Sequence, residues 1–264
     1  MDRPDYGLDA PGVVRNLLLV TAAGVVIWLT TRLGWWSGVI RAGNVVLPLH
    51  RMVVWPAAGC FFMACWMIWD SKIGKVRDRE KLLDHVALRG DERVLDVGCG
   101  RGLLLIGAAK RLSKGRAVGI DLWQAEDLSG NRPEATLQNA ELEGVADRVE
   151  VQTADMREIP FPDGSFDVIV SCAAIHNLYA AAEREKALDE IARVLKPGGR
   201  VLIDDIRHHS EYARSLRAHG CTVTRVSSAA STILLAIITM GSLRPATLLA
   251  EKASVAAGFS RPTS

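Results

Sequence analysis

Two apolar runs without a charged residue open the chain, at residues 17–31 and 52–69, and arginines lie beside both. A membrane-spanning helix needs about 20 apolar residues, with a range of about 17–25. A flanking arginine extends a shorter run because its long stem stays in the apolar layer. The pattern therefore predicts two hydrophobic helices, at about 13–33 and 51–69. Two spans are the leading interpretation, and a hairpin that dips into one leaflet or an interfacial helix is the alternative.

Beyond residue 86 the apolar positions form short runs that alternate with amphipathic segments. Such alternation predicts an α/β fold, a doubly wound parallel sheet with helices on both faces. The predicted strands are 93–98, 116–121, 148–155, 166–175, 200–206, 221–227 and a last one near 246–251. The predicted helices are 103–112, 132–145, 183–195 and 211–220. Pro133 suits the first turn of the second of these helices, with Asn131 as its candidate cap, and the Lys-Pro-Gly-Gly at 196–199 is expected to end the third.

These elements divide the chain into three parts. Residues 1–70 are predicted to form the hydrophobic hairpin, 71–85 a linker or cap helix, and 86–264 the α/β domain. The apolar stretch 231–245 is short for a span. It is expected to lie either in the core or at a second surface that touches the membrane.

Composition supports a membrane location for residues 1–70 and argues against nucleic acid or a metal ion as a partner. Six of the seven tryptophans precede residue 70, which is typical of a membrane–water interface. Five basic residues at 72–81 follow the second run, and this bias predicts that the α/β domain faces the cytoplasm. These residues also suit anionic headgroups. A net charge of +2 gives no electrostatic case for nucleic acid, and five scattered cysteines indicate neither a disulfide framework nor a metal site.

A glycine loop follows the first predicted strand of the α/β domain. The strand ends in Asp96-Val97 and continues as Gly98-Cys99-Gly100-Arg101-Gly102 into a helix. Glycines allow tight turns and let a ligand approach the backbone closely. The spacing differs from the dinucleotide fingerprint Gly-x-Gly-x-x-Gly. Asp121 ends the next strand, where its carboxylate can accept hydrogen bonds from a ribose diol.

The stretches VLDVGCGRG, AVGIDLW, TADMREIPFPDGSFDVIVS and IARVLKPGGRVLI resemble, in order, the motifs of class I S-adenosylmethionine-dependent methyltransferases. The resemblance covers roughly residues 82–206 and implies a Rossmann-like, seven-stranded, mostly parallel sheet whose last strand is antiparallel. It implies S-adenosyl-L-methionine as the cofactor. The cofactor-binding residues that it implies are Asp96 at the amino-acid end, Gly98, Gly100 and Gly102 for backbone approach, Asp121 with its neighbour Leu122 at the ribose, Asp155 and Met156 at the adenine, and Ser171 where the methionine portion meets the acceptor.

Methyl transfer from a sulfonium is an in-line displacement with a neutral leaving group, so a base is needed only when the acceptor carries a proton. Ligands bind at the carboxyl edge of such sheets, and the candidate catalytic residues there are His176, Asp205 and His208. For His176 a purely structural hydrogen-bonding role remains equally open. The resemblance and the hairpin together predict a membrane-anchored methyltransferase that acts on a lipid or a hydrophobic small molecule. The alternatives are a small polar acceptor, with the hairpin serving only as an address, or a non-catalytic scaffold that binds the cofactor. The sequence leaves the oligomeric state open.

Overall fold

The computed structural model describes residues 3–43, 45–227 and 245–254. The chain divides into two compact units. A hydrophobic unit contains Gly7–Lys75 and Gln124–Gly130, and an α/β unit contains Met1–Tyr6, Val76–Trp123 and Asn131–Ser264. Nearly all of the stretch 231–245 lies outside the described residues.

The hydrophobic unit consists of long helices joined by a β-hairpin. The two hydrophobic helices expected from the sequence are present. The β-hairpin that connects them was not predicted. In chain order the elements of the unit are α1 (Pro11–Arg32), β1 (Val39–Ala42), β2 (Val45–Pro48), α2 (Leu49–Met52), α3 (Val54–Trp69) and a turn of π-helix (Asp70–Gly74). The next helix, α4 (Lys75–Val86), belongs to the α/β unit apart from Lys75. Two helical stretches, Pro11–Arg32 and Leu49–Val86, are long and apolar enough to cross a membrane. Only 11% of the apolar window in each is buried, which is far less than in the core helix of a soluble domain.

Small residues bring α1 and α3 close together. A Cβ added to Gly24 of α1 would lie 2.5 Å from the Cβ of Ala57 in α3. The hydroxyl of Thr21 donates to the carbonyl of Leu17 and lies 3.3 Å from the carbonyl oxygen of Ala57. Small side chains at a crossing are typical of helices that pack within a bilayer.

The basic residues at 72–81 are mostly engaged with other protein groups. Each of three forms an ion pair or a charged hydrogen bond at 2.8–3.0 Å: Lys75 with Asp9, Arg79 with Glu80 and with the Tyr6 hydroxyl, and Lys81 with Asp78. Arg79 is also buried. Three of the five basic side chains therefore have protein partners, and contact of this cluster with anionic headgroups stays a prediction.

The α/β unit contains the predicted seven-stranded sheet. Its order is β5-β4-β3-β6-β7-β9-β8; the first five of these strands pair in parallel, and β9 is antiparallel to both of its neighbours. The strands are β3 (Arg93–Val97), β4 (Arg116–Asp121), β5 (Val149–Thr153), β6 (Phe166–Cys172), β7 (Leu195–Asp205), β8 (Cys221–Arg225) and β9 (Ala246–Lys252). The helices are α5 (Leu103–Arg111), α6 (Pro133–Leu142), α7 (Ala181–Val194) and α8 (His209–Ala218), with short 3₁₀ turns at Ala146–Arg148 and Ile175–Asn177. This is the Rossmann-like arrangement expected from the sequence.

Several predicted boundaries differ from the structure, and two of the differences have a visible cause. Strand β6 ends at Cys172 rather than at 175, because Ala173 adopts a left-handed conformation (φ +51°) that turns the chain into the 3₁₀ segment. Strand β7 already begins at Leu195, which pairs with Phe166. The Lys-Pro-Gly-Gly segment is accommodated as a register shift within this strand pair and does not delay the start of the strand.

The core lies on both faces of the sheet. Neighbouring residues of β3 face opposite ways, so Val94 packs with Leu105 on one face and Leu95 with Ile203 on the other, all of them at most 1% exposed. Central strands that are buried on both faces read as continuous apolar runs. This burial fixes the carboxyl ends of β3 to β7 at one edge of the sheet.

Candidate active site

The glycine loop between β3 and α5 is held in a conformation that side chains disfavour. Gly98, Gly100 and Gly102 have φ values of +72°, +52° and +86°. A Cβ on Gly98 would lie only 2.3 Å from the Cβ of Ala174. Glycine therefore serves both the left-handed backbone and the close packing at this edge. The N–H groups of Gly98 and Cys99 both donate to the carbonyl of Ile120, which ties the loop to β4.

Asp96 lies beneath this loop as a buried carboxyl group. It is 2% exposed, and its Oδ2 accepts a hydrogen bond of 2.8 Å from the N–H of Leu105 in the first turn of α5. Burial, with a smaller contribution from the nearby charge of Asp121, raises the pKa of Asp96 to about 7. Burial also raises the pKa of the Cys99 thiol well above its usual value, so Cys99 is a packing residue and not a nucleophile.

Asp121 joins the end of β4 to the glycine loop. Its Oδ2 accepts the N–H of Gly100 at 2.8 Å. Its Oδ1 accepts the N–H of Trp123 at 2.6 Å and the side-chain amide of Asn131 at 3.2 Å. The expectation that Asn131 caps α6 was wrong, because Arg132 occupies the cap position and the Asn131 amide points to this carboxylate. Leu122, next to Asp121, leaves 46% of its surface exposed and offers an apolar surface there.

Asp155 and Met156 follow β5 at the same edge. Met156 packs on the core, and its Cε would lie 3.7 Å from a Cβ on Gly98. Asp155 is held by Arg157, whose Nε and Nη2 donate to it at 3.0 and 2.6 Å. These hydrogen bonds lower the pKa of Asp155. Arg157 also contacts Glu183 at 2.5 Å, so Asp155 belongs to a charged network as well as to this edge.

Ser171 is placed differently from the other residues expected to bind the cofactor. It is 1% exposed, and its hydroxyl donates to the carbonyl of Val97 at 2.9 Å. The side chain thus links the end of β6 to the residue that precedes the glycine loop. In this position the hydroxyl holds the start of the loop, and its expected contact with the cofactor stays a prediction.

His176 and Asp205 come together from the ends of adjacent strands. The imidazole Nδ1 lies 2.6 Å from Oδ1 of Asp205, without the alignment of an ordinary hydrogen bond, and the contact becomes an ion pair when the ring is protonated. The backbone N–H of His176 donates to Oδ2 at 3.1 Å. Asp205 is 2% exposed and also accepts from the Tyr212 hydroxyl at 3.2 Å. A buried carboxylate that orients an imidazole is the arrangement used by general bases.

His208 does not join this pair. It occupies a left-handed position (φ +61°) just before α8, and its Nδ1 lies 3.6 Å from Glu211. Glu211 is held by the buried Arg184 in a two-pronged ion pair at 2.9–3.0 Å. Partial burial and the Arg184 charge lower the pKa of His208. The sequence made His208 a candidate because it follows the strand end that carries Asp205; in the structure its near partner is Glu211.

Sequence reasoning missed several groups at this edge. Tyr212 reaches Asp205 from α8, and Thr153 accepts a hydrogen bond of 2.8 Å from the indole of Trp123. Neither residue carries a pattern that marks it as part of a site. Within the described ranges, no three His, Cys, Asp or Glu side chains are grouped so as to hold a metal ion.

The donor set fits an adenosyl sulfonium. A ribose diol needs acceptors, which the Asp121 carboxylate supplies, and an adenine ring needs an apolar neighbour such as Leu122 or Met156. The cationic sulfonium and ammonium groups suit an edge that carries the carboxyl groups of Asp96 and Asp121 close to the bare backbone of the glycine loop.

Comparison with known proteins places this edge in context. Residues 95–203 match the family model described as a methyltransferase domain. A phosphatidylethanolamine N-methyltransferase of Cereibacter sphaeroides is 36% identical over 140 residues, 52% of this chain and 63% of that protein. A ubiquinone/menaquinone biosynthesis C-methyltransferase of Roseobacter denitrificans is 32% identical over 125 residues, 47% of this chain and 46% of that protein. The chain thus spans about half to two thirds of these relatives.

Among solved structures, the YcgJ protein of Bacillus subtilis superposes with a TM-score of 0.54 at 20% identity. The superposition covers 68% of this chain and all of that one. At this level of identity the match supports the fold described above and nothing finer.

Proposed function

We propose that this chain, whose residues 95–203 match the family model described as a methyltransferase domain, is a class I S-adenosylmethionine-dependent methyltransferase that transfers a methyl group to a lipid or hydrophobic small-molecule acceptor while anchored in a membrane. The observation that carries the proposal is the bond between the Asp121 carboxylate and the glycine loop, which joins the ribose acid and the loop in one preformed site.

In the proposed reaction the bound cofactor supplies an activated methyl group on a sulfonium. The chain has three tasks: to hold the acceptor in line with the methyl carbon, to exclude water, and to remove a proton where the acceptor carries one. Asp121 and Leu122 would hold the ribose side, Met156 and Asp155 the adenine side, and the glycine loop with Asp96 the amino-acid end.

His176 is the proposed base or positioning group for the acceptor. Asp205 orients its ring through the 2.6 Å contact at Nδ1, which leaves Nε2 to take a proton from a hydroxyl or an ammonium group. Asp205 is itself held by Tyr212 and by the backbone of Ile206. His208 is proposed only as a residue of the surrounding charged network, since its near partner is Glu211.

The features of the hydrophobic unit favour the interpretation that its two helices span the membrane over the alternative that they dip into one leaflet. Helix α1 has 22 residues, a length of about 33 Å at 1.5 Å per residue, against a hydrocarbon layer of about 30 Å. Among the residues that the structure describes, β1 and β2 pair with each other and with no other strand, so the outer edge of each leaves N–H and C=O groups without a strand partner. Such edges are not tolerated in hydrocarbon. A dip would place this hairpin in the middle of the bilayer, whereas two spans place it in the opposite headgroup layer.

The tryptophans and the basic residues support the same topology. Trp35, just before β1, is 75% exposed, as suits an interfacial ring. Lys72 and Arg77 are exposed, and the excess of basic residues after α3 favours a cytoplasmic α/β unit by the positive-inside rule.

A hydrophobic acceptor is favoured because the anchor gives a catalytic domain access to molecules dissolved in a bilayer. One of the similar proteins is named as a phosphatidylethanolamine N-methyltransferase and another as a C-methyltransferase of ubiquinone/menaquinone biosynthesis. A small polar acceptor is the second candidate, and the anchor is then only an address. A non-catalytic scaffold is the third.

The test is to incubate the full-length protein in vesicles with methyl-labelled cofactor and either the lipid or the aqueous fraction of a cell extract. We expect label in the organic phase, its loss in Asp121→Ala, and no change in Ser165→Ala, whose hydroxyl donates to the Pro162 carbonyl within its own turn. Label from the aqueous fraction alone would favour the polar acceptor. Cofactor binding without any labelled product would favour the scaffold.

A further inference from the structure

A single arginine fills the carboxylate of Asp155. The backbone N–H of Arg157 donates to Oδ1 at 2.8 Å, its Nε lies 3.0 Å from each of the two oxygens, and its Nη2 donates to Oδ2 at 2.6 Å. An ionised carboxylate offers about four acceptor positions. Among the described residues, Arg157 is the donor in every hydrogen bond to this side chain, and it takes two positions on each oxygen.

Asp155 lies at the carboxyl edge of the sheet, next to the glycine loop. On one side of it the N–H of Ala154 donates to the carbonyl of Asp121 at 3.2 Å, which ties this segment to the end of β4. On the other side Met156 packs on the core and comes close to Gly98. The Asp155 side chain is 29% exposed, so a ligand at this edge can reach the carboxylate that Arg157 fills.

Arg157 has a second acidic partner, Glu183, in the first turn of α7. Its Nη1, the guanidinium nitrogen that Asp155 leaves unused, donates to Oε1 of Glu183 at 2.5 Å. A negative charge in the first turn of a helix is stabilised by the helix dipole. The guanidinium therefore keeps a charged partner when it releases Asp155.

These groups line an open pocket, so the pair of Arg157 and Asp155 is in reach of water. The pocket has a volume of about 430 Å³ and is lined by Asp155, Arg157, Glu158, Ala182, Glu183 and Lys186. The Arg157 side chain is 33% exposed and that of Glu183 is 41% exposed. Ion pairs that water reaches are weak compared with buried ones, and a competing donor can therefore displace the guanidinium from Asp155.

A neutral donor and Arg157 cannot both have the full benefit of this carboxylate. The exocyclic amine of an adenine is such a neutral donor, whereas the guanidinium is charged and grips two oxygens at once, which makes its hydrogen bonds the stronger ones. An amine that binds Asp155 must first displace at least one N–H of Arg157. The net gain in affinity from the amine is then smaller than an uncontested carboxylate would give.

We propose that Arg157 is a specificity-determining residue, which weakens recognition of the cofactor's exocyclic amine by competing with it for Asp155. Glu183 retains the guanidinium while the amine uses an oxygen of Asp155. The inference rests on the proposed function, because that function assigns Asp155 to the adenine side of the cofactor. All three residues belong to the α/β unit.

The experiment measures the affinity of the full-length protein in lipid nanodiscs for S-adenosylhomocysteine and for its 6-deamino analogue, in which hydrogen replaces the exocyclic amine. The ratio of dissociation constants, analogue over parent, reports recognition of the amine. Arg157→Leu leaves Asp155 uncontested, and we expect it to raise this ratio at least about threefold above that of the wild type. In Asp155→Ala/Arg157→Leu the gain should disappear. Arg116→Leu is the matched control, because Arg116 pairs with Glu150 at the amino end of β4, and it should leave the ratio unchanged.

The direction of the change decides between competition and support. A lower ratio in Arg157→Leu would show that the arginine holds Asp155 in place for the amine, and an unchanged ratio would show no competition; either result overturns the inference and leaves the proposed function standing. A gain that persists in the double variant, or that also appears in Arg116→Leu, overturns it as well. A wild type that binds neither ligand refutes the proposed function itself. Thermal unfolding confirms that each variant is folded, and Arg157→Met replaces Arg157→Leu if the leucine variant does not fold.

Discussion

Substitution of Gly98 by alanine isolates the packing role of the glycine loop. The new Cβ would meet the Cβ of Ala174 at 2.3 Å, so β3 and the segment before His176 must separate. Overpacking of this kind costs about 1–3 kcal/mol, in addition to about 1–2 kcal/mol for a left-handed alanine. Gly144→Ala is the matched control, because Gly144 has almost the same φ (+71° against +72°) with nothing within 4 Å of its Cβ position.

The assay compares the melting temperatures of the two variants by circular dichroism, with and without S-adenosylhomocysteine. The backbone strain cancels, and the overlap alone should lower the melting temperature of Gly98→Ala relative to Gly144→Ala by about 2–4 °C per kcal/mol. The second-site change Ala174→Gly removes the opposing methyl group and should recover part of the loss. Equal melting temperatures for the two alanine variants, or no recovery in the double variant, would refute the packing argument.

Three further predictions follow from the same contacts. His176→Asn should lower kcat by about 10²–10⁴-fold for an acceptor that carries a proton, with the dissociation constant for S-adenosylhomocysteine nearly unchanged by calorimetry; a similar loss in both would contradict a role toward the acceptor. Because burial raises the pKa of Asp96 to about 7, the folded state binds more protons than the unfolded state between about pH 4 and 7. The contribution of Asp96 to stability is therefore lost as pH rises through that window, and urea midpoints should show a fall with pH that Asp96→Asn reduces. Gly24→Ala should melt below Gly12→Ala in detergent, because both gain helix propensity but only Gly24 lies against α3.

The sheet was predictable from the sequence because its strands are buried on both faces. Strand β4 matches its prediction at both ends, Arg116–Asp121, since an apolar run between two polar boundaries is unambiguous. The Ala173 turn was not predictable, because nothing in alanine marks a left-handed residue. Tyr6 is a similar case. It is 5% exposed and its hydroxyl donates to Glu143, so residues ahead of the anchor form part of the α/β unit, although an isolated Asp-Tyr near the start of a chain has no periodicity.

The His176–Asp205 contact shows what sequence reasoning lacks. The two residues are 29 positions apart, and they meet because β6 and β7 are parallel neighbours whose ends share one edge. The motifs indicated that both lie at strand ends, but not that the two side chains face each other. His208 was a further candidate by the same reasoning, and in the structure its near partner is Glu211. The direction that the chain takes after a strand is set by one or two backbone dihedral angles. These angles cannot be inferred from the amino-acid composition.

The three carboxyl groups at the carboxyl edge of the sheet have different partners. These partners determine how each group can respond when a cationic cofactor binds. Asp155 is paired with Arg157, and Asp96 holds a proton close to neutral pH because it is buried. In the part of the chain that the structure describes, Asp121 accepts only from neutral N–H groups. A cation at the glycine loop favours the ionised form of Asp96, so binding near pH 7 should release a proton from this residue. The site then gains further negative charge when the ligand brings positive charge, and the cation offsets part of the cost of a buried carboxylate.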